Sequence, residues 1–221
     1  YQAAYPGATT ETVPSDAWKR MLLAERNPGK EFLTEADYDR ALAMGDALRR
    51  NKHAAHYLAA GRPEVTIEWV DPETRLPCKA RLDWLIGDPL VDCDLKTART
   101  IIYGIFRAQA WKLGYFHQLA FHRLGLRQLS GRIPALRILA VENVPPFDCV
   151  VFEPDEDSLW AAEEEVRSLL VKLARARRDD RWPGQYDEEQ QLRAPRWVFD
   201  EDATEDLIIG GEDAREPASA E

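Results

Sequence analysis

"RLDWLIGDPLVDCDLKT", residues 81–97, sets one aspartate in a run that otherwise reads as buried strand and follows it, eleven positions on, with Asp94-Leu95-Lys96. Leu82, Trp84, Leu85 and Ile86 make an expensive environment for an unpaired Asp83 carboxylate. After the turn at Gly87-Asp88-Pro89, "LVDCDLK" alternates Val91, Cys93 and Leu95 with Asp92, Asp94 and Lys96. Upstream, "EVTIEWV" alternates Val65, Ile67 and Trp69 with Glu64, Thr66 and Glu68, and "CKARLDWLI" repeats the pattern after a "DPETR" turn. Three such strands are expected to pair in order. Their apolar faces would pack on a helix, and their other faces would gather Glu64 or Glu68, Asp83, Asp94 and Lys96.

Helical periodicity flanks the strands. Thr34 with Asp37 three residues on reads as an N-cap opening "EADYDRALAMGDALRR", and "KHAAHYLAAG" reads as a second short helix that stops at Gly61 before Pro63. Residues 106–125 are predicted as one helix, "ALRILAVE" as a strand buried on both faces, "FDCVVFE" as another strand, and 157–178 as a long helix with Leu159, Val166, Leu169, Leu170 and Leu173 inward. A short helix around 18–25 precedes them. The order predicts an α/β domain on one mixed central sheet flanked by helices. The expected organisation is an irregular segment over 1–33, the domain over 34–199 and an acidic, disordered tail over 200–221.

Of 221 residues, 45% are hydrophobic, enough for a substantial core. No apolar run is long enough for a bilayer and no signal-like segment opens the chain, so a non-secreted, cytoplasmic protein without a membrane partner is expected. Cys78, Cys93 and Cys149 are scattered in apolar contexts, which suits reduced core thiols. They cannot supply the four clustered cysteines of an iron-sulfur centre.

The formal charge of −10 is concentrated at one end, where residues 200–221 hold nine acids against one arginine. Residues 97–141 contain no acid and carry Arg99, Arg107, Lys112, Arg123, Arg127, Arg132 and Arg137, interleaved with Tyr103, Phe106, Trp111, Tyr115, Phe116 and Phe121. Such a stretch suits a polyanion such as DNA; the competing reading is an ordinary solvated face.

Converging carboxylates favour a hard divalent cation, and a lysine beside one orients or deprotonates a water, a combination suited to phosphodiester hydrolysis. Alternating charges on a half-covered sheet are the plainer alternative. Asp92 shares the face of Asp94 and rivals it for a ligand role, although D-x-K spacing favours Asp94.

"RLDWL", "DLKT" after ten intervening residues beyond the Asp, and "GYFHQLAFH" resemble the PD-(D/E)XK nuclease superfamily, and within it the RecE-type (exonuclease VIII-like) branch. The likeness runs from about Gly29 to Trp197 through "GKEFLTEADYDRALAMGDALRR", "EVTIEW", "LAVENVPPFDCVVFEPDEDSL" and "WPGQY…LRAPRW" in family order. It implies a restriction-endonuclease-like fold and a 5′-to-3′ exonuclease on double-stranded DNA ends. Asp83, Asp94, the Leu95 main-chain carbonyl and Glu64 would hold Mg²⁺, with Mn²⁺ as a substitute, and Lys96 would position the attacking water. Gln118, Tyr115 and His122, the last in place of the motif tyrosine, would contact DNA along with Arg99, Arg107 and Lys112. Leu82 stands where the family has proline. The resemblance also implies a homo-oligomer working with a single-strand annealing recombination protein. The branch's upstream histidine-containing block has no counterpart here, which leaves a catalytically weak DNA-binding module as the alternative.

Overall fold

The computed structural model describes residues 33–184 and 189–194, with the single positions 23, 25, 26 and 28. The expected tail over 200–221 lies outside these, and of the expected 18–25 helix only Leu23 and Glu25 are described, both helical. The chain divides into two units, Tyr1–Arg175 and Ala176–Glu221. The first carries the sheet.

Helix α1 (Glu35–Arg50) begins as the sequence predicts: the Thr34 hydroxyl accepts from the Asp37 amide at 3.1 Å and donates to its carboxylate at 2.7 Å. Asn51 ends it and caps α2 (Lys52–Leu58) by accepting from the His53 and Ala54 amides. Strands β1 (Arg62–Val70), β2 (Pro77–Ile86) and β3 (Val91–Ala98) follow, then helices α3 (Tyr103–Lys112) and α4 (Tyr115–Ser130), strands β4 (Ala135–Glu142) and β5 (Cys149–Phe152), and helix α5 (Glu156–Asp179).

The sheet is mixed and runs β1-β2-β3-β4-β5, with β3 and β4 parallel and every other pair antiparallel. A parallel pair needs a long crossover. Here α3 and α4 supply it, which lays α4 across β3. One core lies between the sheet and α1 and α2, where Ala47, Leu48 and Ala54 meet Ile86, Val91, Cys93 and Leu139. On the opposite side Leu119 packs with Leu136, Ile138 and Leu159, and Leu126 packs with Ile67, Trp69 and Leu82 of the hairpin. Leu82, Leu119 and Leu139 are fully buried, each contributing about 2 kcal/mol through area removed from water. Strand β4 divides its side chains between the two cores, as its continuous apolar run predicts. The three cysteines are free and buried.

Three expectations are corrected. The 106–125 helix is two helices, broken where Gly114 adopts a left-handed φ of 74° that a glycine takes without steric penalty. On α5, Leu169 and Leu173 are exposed; Leu159, Ala162, Val166 and Leu170 form the packed stripe instead. The charged side of β3 is not an open face. Asp92 and Asp94 are 0% and 1% exposed beneath α4, while the apolar Leu95 is exposed.

Candidate active site

Two periodicities coincide where α4 crosses β3. Residues two apart on a strand are separated by about 6.6 Å and residues four apart on a helix by about 6 Å, so two side chains of one can meet two of the other. The elements run in opposite directions here. Gln118 meets Asp94, and His122 meets Asp92.

The first meeting is a closed triangle. Gln118 Nε2 donates to Asp94 Oδ1 at 2.7 Å, Lys96 Nζ donates to Gln118 Oε1 at 2.9 Å, and Lys96 Nζ lies 2.6 Å from Asp94 Oδ2. The last contact is a charge pair without good hydrogen-bond direction, and Asp94 Oδ2 stays buried with no hydrogen-bond partner. Burial pushes the Asp94 carboxyl up to about 6 against the pull of Lys96, and Asp83 and Asp92 add to the rise. Tyr115, one turn before Gln118, sets its ring 4.9 Å from Lys96 Nζ in a cation–π contact, and the Lys96 side chain is 15% exposed.

Asp83 reaches this triangle from the neighbouring strand. The β2–β3 ladder ends at Trp84 opposite Cys93. Beyond that point the Leu95 amide donates to Asp83 Oδ2 at 2.8 Å, which satisfies the half-buried carboxylate that the sequence marks as costly. Strand alternation also changes phase here: Ala80 and Leu82 pack on the α4 side, whereas Trp84 and Ile86 pack against α1 and α2.

Glu64 and Glu68 do not join the group. Glu64 has a left-handed φ of 55° and pairs with Arg81 at 2.8 Å, and Glu68 pairs with Lys79 at 3.2 Å, both on the exposed face of the hairpin. Among the described residues, no three His, Cys, Asp or Glu side chains converge as a metal cluster. Asp83 and Asp94 remain, with the buried Oδ2 of Asp94 held only by its ion pair to Lys96. That donor set fits Mg²⁺, which takes one or two carboxylates and otherwise keeps waters and substrate oxygens.

His122 is corrected most sharply. It is 4% exposed, with Nδ1 2.8 Å from Asp92 Oδ2, so its ring is held inside the protein and does not reach a phosphate on the surface. Asp92 is thereby engaged as the partner of His122 and not as a second ligand beside Asp94. The spacing of His122 four after Gln118 and Asp92 two before Asp94 contained this pairing, but nothing in one chain segment links it to the other.

The acid-free stretch divides in the fold. Arg123, 7% exposed, is held by Glu156 and Glu163, Arg127 by Glu163, Arg132 by Asp88, and Arg137 by Glu153. Burial alone would raise the Glu163 pKa, yet Arg167, Arg127 and Arg123 hold it below the usual carboxylate range. Arg99, Arg107 and Lys112 are exposed and have no ion pair among the described residues.

No curated protein sequence matches the chain. In shape it is similar to a crystal structure from Eubacterium rectale described as a candidate exonuclease, at 16% identity with a TM-score of 0.57, over 81% of this chain and 72% of that one. A second solved structure, SSO0001, aligns with a TM-score of 0.35 at 15% identity, over 60% of this chain and 58% of that one. The family model of a PDDEXK-like domain of unknown function (DUF3799) matches residues 9–195. A mixed sheet in which Asp83 of β2 holds the Leu95 amide of β3, between Asp94 and Lys96, agrees with that match, and the chain belongs to this PDDEXK-like family.

Proposed function

We propose that this chain is a Mg²⁺-dependent deoxyribonuclease that hydrolyses DNA phosphodiester bonds, with Mn²⁺ as a substitute ion. The observation that carries the reading is the Asp94–Lys96–Gln118 triangle with Asp83 at its edge. A carboxylate buried beside an ammonium, with its own ionisation disfavoured by desolvation, is costly for the fold and useful to a hydrolase. Asp83 and Asp94 would hold the cation. The cation supplies Lewis-acid charge that stabilises the transferring phosphoryl group and makes water a competent nucleophile near neutral pH. Lys96 positions that water in line with the bond to be broken, and Gln118 fixes Lys96 through its carbonyl while tying down Asp94 through its amide. Water oxygen bonds to phosphorus as its proton passes to solvent, and the phosphorus–oxygen bond to the leaving nucleotide breaks with the departing oxygen taking a proton from solvent, giving a phosphomonoester and a hydroxyl. Arg99, Arg107 and Lys112 hold the backbone.

The resemblance to RecE-type exonucleases extends the proposal to 5′-to-3′ digestion from double-stranded ends, by a cytoplasmic homo-oligomer partnered by a single-strand annealing protein. The decisive assay incubates circular and end-labelled linear duplex with Mg²⁺ and compares wild type with Lys96→Ala and Asp94→Ala. Loss of 5′-label from linear DNA by the wild type alone supports the reading, and equal cleavage by all three proteins sinks it. One observation favours a second reading, a DNA-binding module without cleavage: Glu64 is engaged by Arg81, which leaves two carboxylates. Binding of the duplex with no product from any protein would establish that reading instead.

A further inference from the structure

The outer side of α3 is an anomaly for a surface helix. Tyr103 is 65% exposed and Trp111 40% exposed, while Arg107 stands between them, its guanidinium carbon 5.6 Å from the Tyr103 ring centroid. These positions recur every four residues and so form one stripe along the helix. Lys112 adjoins it, and Arg99 precedes the helix. These three cations are the ones in the acid-free stretch that no acid neutralises among the described residues. The acids bordering the stripe are already occupied: Glu153 by Arg137 at 3.0 Å, and Asp155 by the backbone and hydroxyl of Ser158 at 2.9 and 2.8 Å. The stripe is also coupled to the candidate catalytic group. Phe106 on the inner side of α3 packs on Tyr115, their ring centroids 6.2 Å apart, and Tyr115 backs Lys96.

Cations without acids call for a polyanion, and exposed aromatic rings between them call for flat apolar faces on that polyanion. In a duplex those faces are covered by stacked neighbours about 3.4 Å away. A helix rise of 1.5 Å per residue sets Tyr103 and Trp111 about 12 Å apart along the axis. Bases stacked helically cannot span that gap with one base on each ring, whereas a splayed strand can. Resting on the reading of DNA as the substrate, we propose that α3 is a stacking platform for an unpaired strand: bases lie on Tyr103 and Trp111, and Arg107, Lys112 and Arg99 hold the phosphates.

The test measures fluorescence anisotropy of the full chain in EDTA, so that no cleavage is needed, with dT and abasic oligonucleotides of about a dozen nucleotides. The chain binds dT roughly tenfold or more tighter than the abasic strand, which has the same phosphates and no bases. Tyr103→Ala and Trp111→Ala each remove about 5- to 100-fold of dT affinity and leave abasic binding unchanged, whereas Tyr103→Phe and Trp111→Phe retain it. Arg107→Ala weakens both ligands. Equal affinity for dT and abasic strands overturns the platform, as does a loss in the alanine variants that falls equally on both. A change from dimer to monomer in Tyr103→Ala, with dT affinity intact, would also overturn it and assign the stripe to self-association. Base-dependent binding by a wild type that never cleaves would leave the platform standing and remove the nuclease reading. Cleavage without base-dependent binding would do the reverse.

Discussion

His122 Nδ1 lies 2.8 Å from Asp92 Oδ2 with both side chains buried, the second rung joining α4 to β3, one helical turn from the rung between Gln118 and Asp94. Removing one partner of a buried hydrogen-bonded pair leaves the other desolvated and unsatisfied. His122→Ala is therefore expected to cost at least about 1–3 kcal/mol of folding stability, as read by urea denaturation. If His122 instead touched phosphate, the same variant would keep its stability and lose DNA affinity. Unchanged stability would refute the buried role.

Asp94 predicts a specific pH dependence. Burial holds its carboxyl at about 6, against an ordinary 3.8, so between these values the folded chain keeps a proton that the unfolded chain has released. The metal-free protein accordingly gains stability as pH falls through this window and loses it as pH rises through about 6. Asp94→Asn lacks the titration. The wild-type curve minus the variant curve, from urea midpoints between about pH 4 and 7, is expected to fall by on the order of 2–3 kcal/mol with rising pH. A flat difference would show that the carboxyl is not perturbed. Mg²⁺ favours the ionised form and should flatten the curve if it binds there.

Gln118 divides its two functions between two atoms, and Gln118→Glu separates them. The change keeps an acceptor for Lys96 but replaces the donor to Asp94 with a second carboxylate. Like charges at that distance disfavour ionisation of both groups. Nuclease activity is expected to fall by at least about tenfold, with an optimum moved to higher pH because Asp94 holds its proton longer. A pH–rate profile superimposable on the wild type would contradict the triangle.

Gly125 marks where α4 presses on the hairpin. A Cβ there would fall 2.7 Å from Trp69 Cζ3 and 2.9 Å from Ile67 Cδ1, and both side chains are buried. Gly125→Ala gains helix propensity but forces a shift of α4 or the indole. The net expected cost is about 1–3 kcal/mol, seen as a lowered urea midpoint. A raised midpoint would mean that the hairpin yields freely.

Local pattern determined much of this molecule. Alternation over 64–96 specified three strands in order, the order of elements predicted a mixed sheet, and the isolation of Asp83 among apolar residues marked it as needing a partner. Period-two alternation says which side chains share a face but not what covers that face. Asp92 and Asp94 are equivalent by that rule, and only the crossing of α4, more than twenty residues away, assigns one to His122 and the other to Gln118 and Lys96. The same limit applies to charge. Seven bases in one stretch look alike in sequence, and only tertiary pairing with acids from elsewhere neutralises four of them and leaves Arg99, Arg107 and Lys112 without an ion pair among the described residues. Periodicity is a property of neighbours along the chain; ion pairing and desolvation depend on neighbours in space.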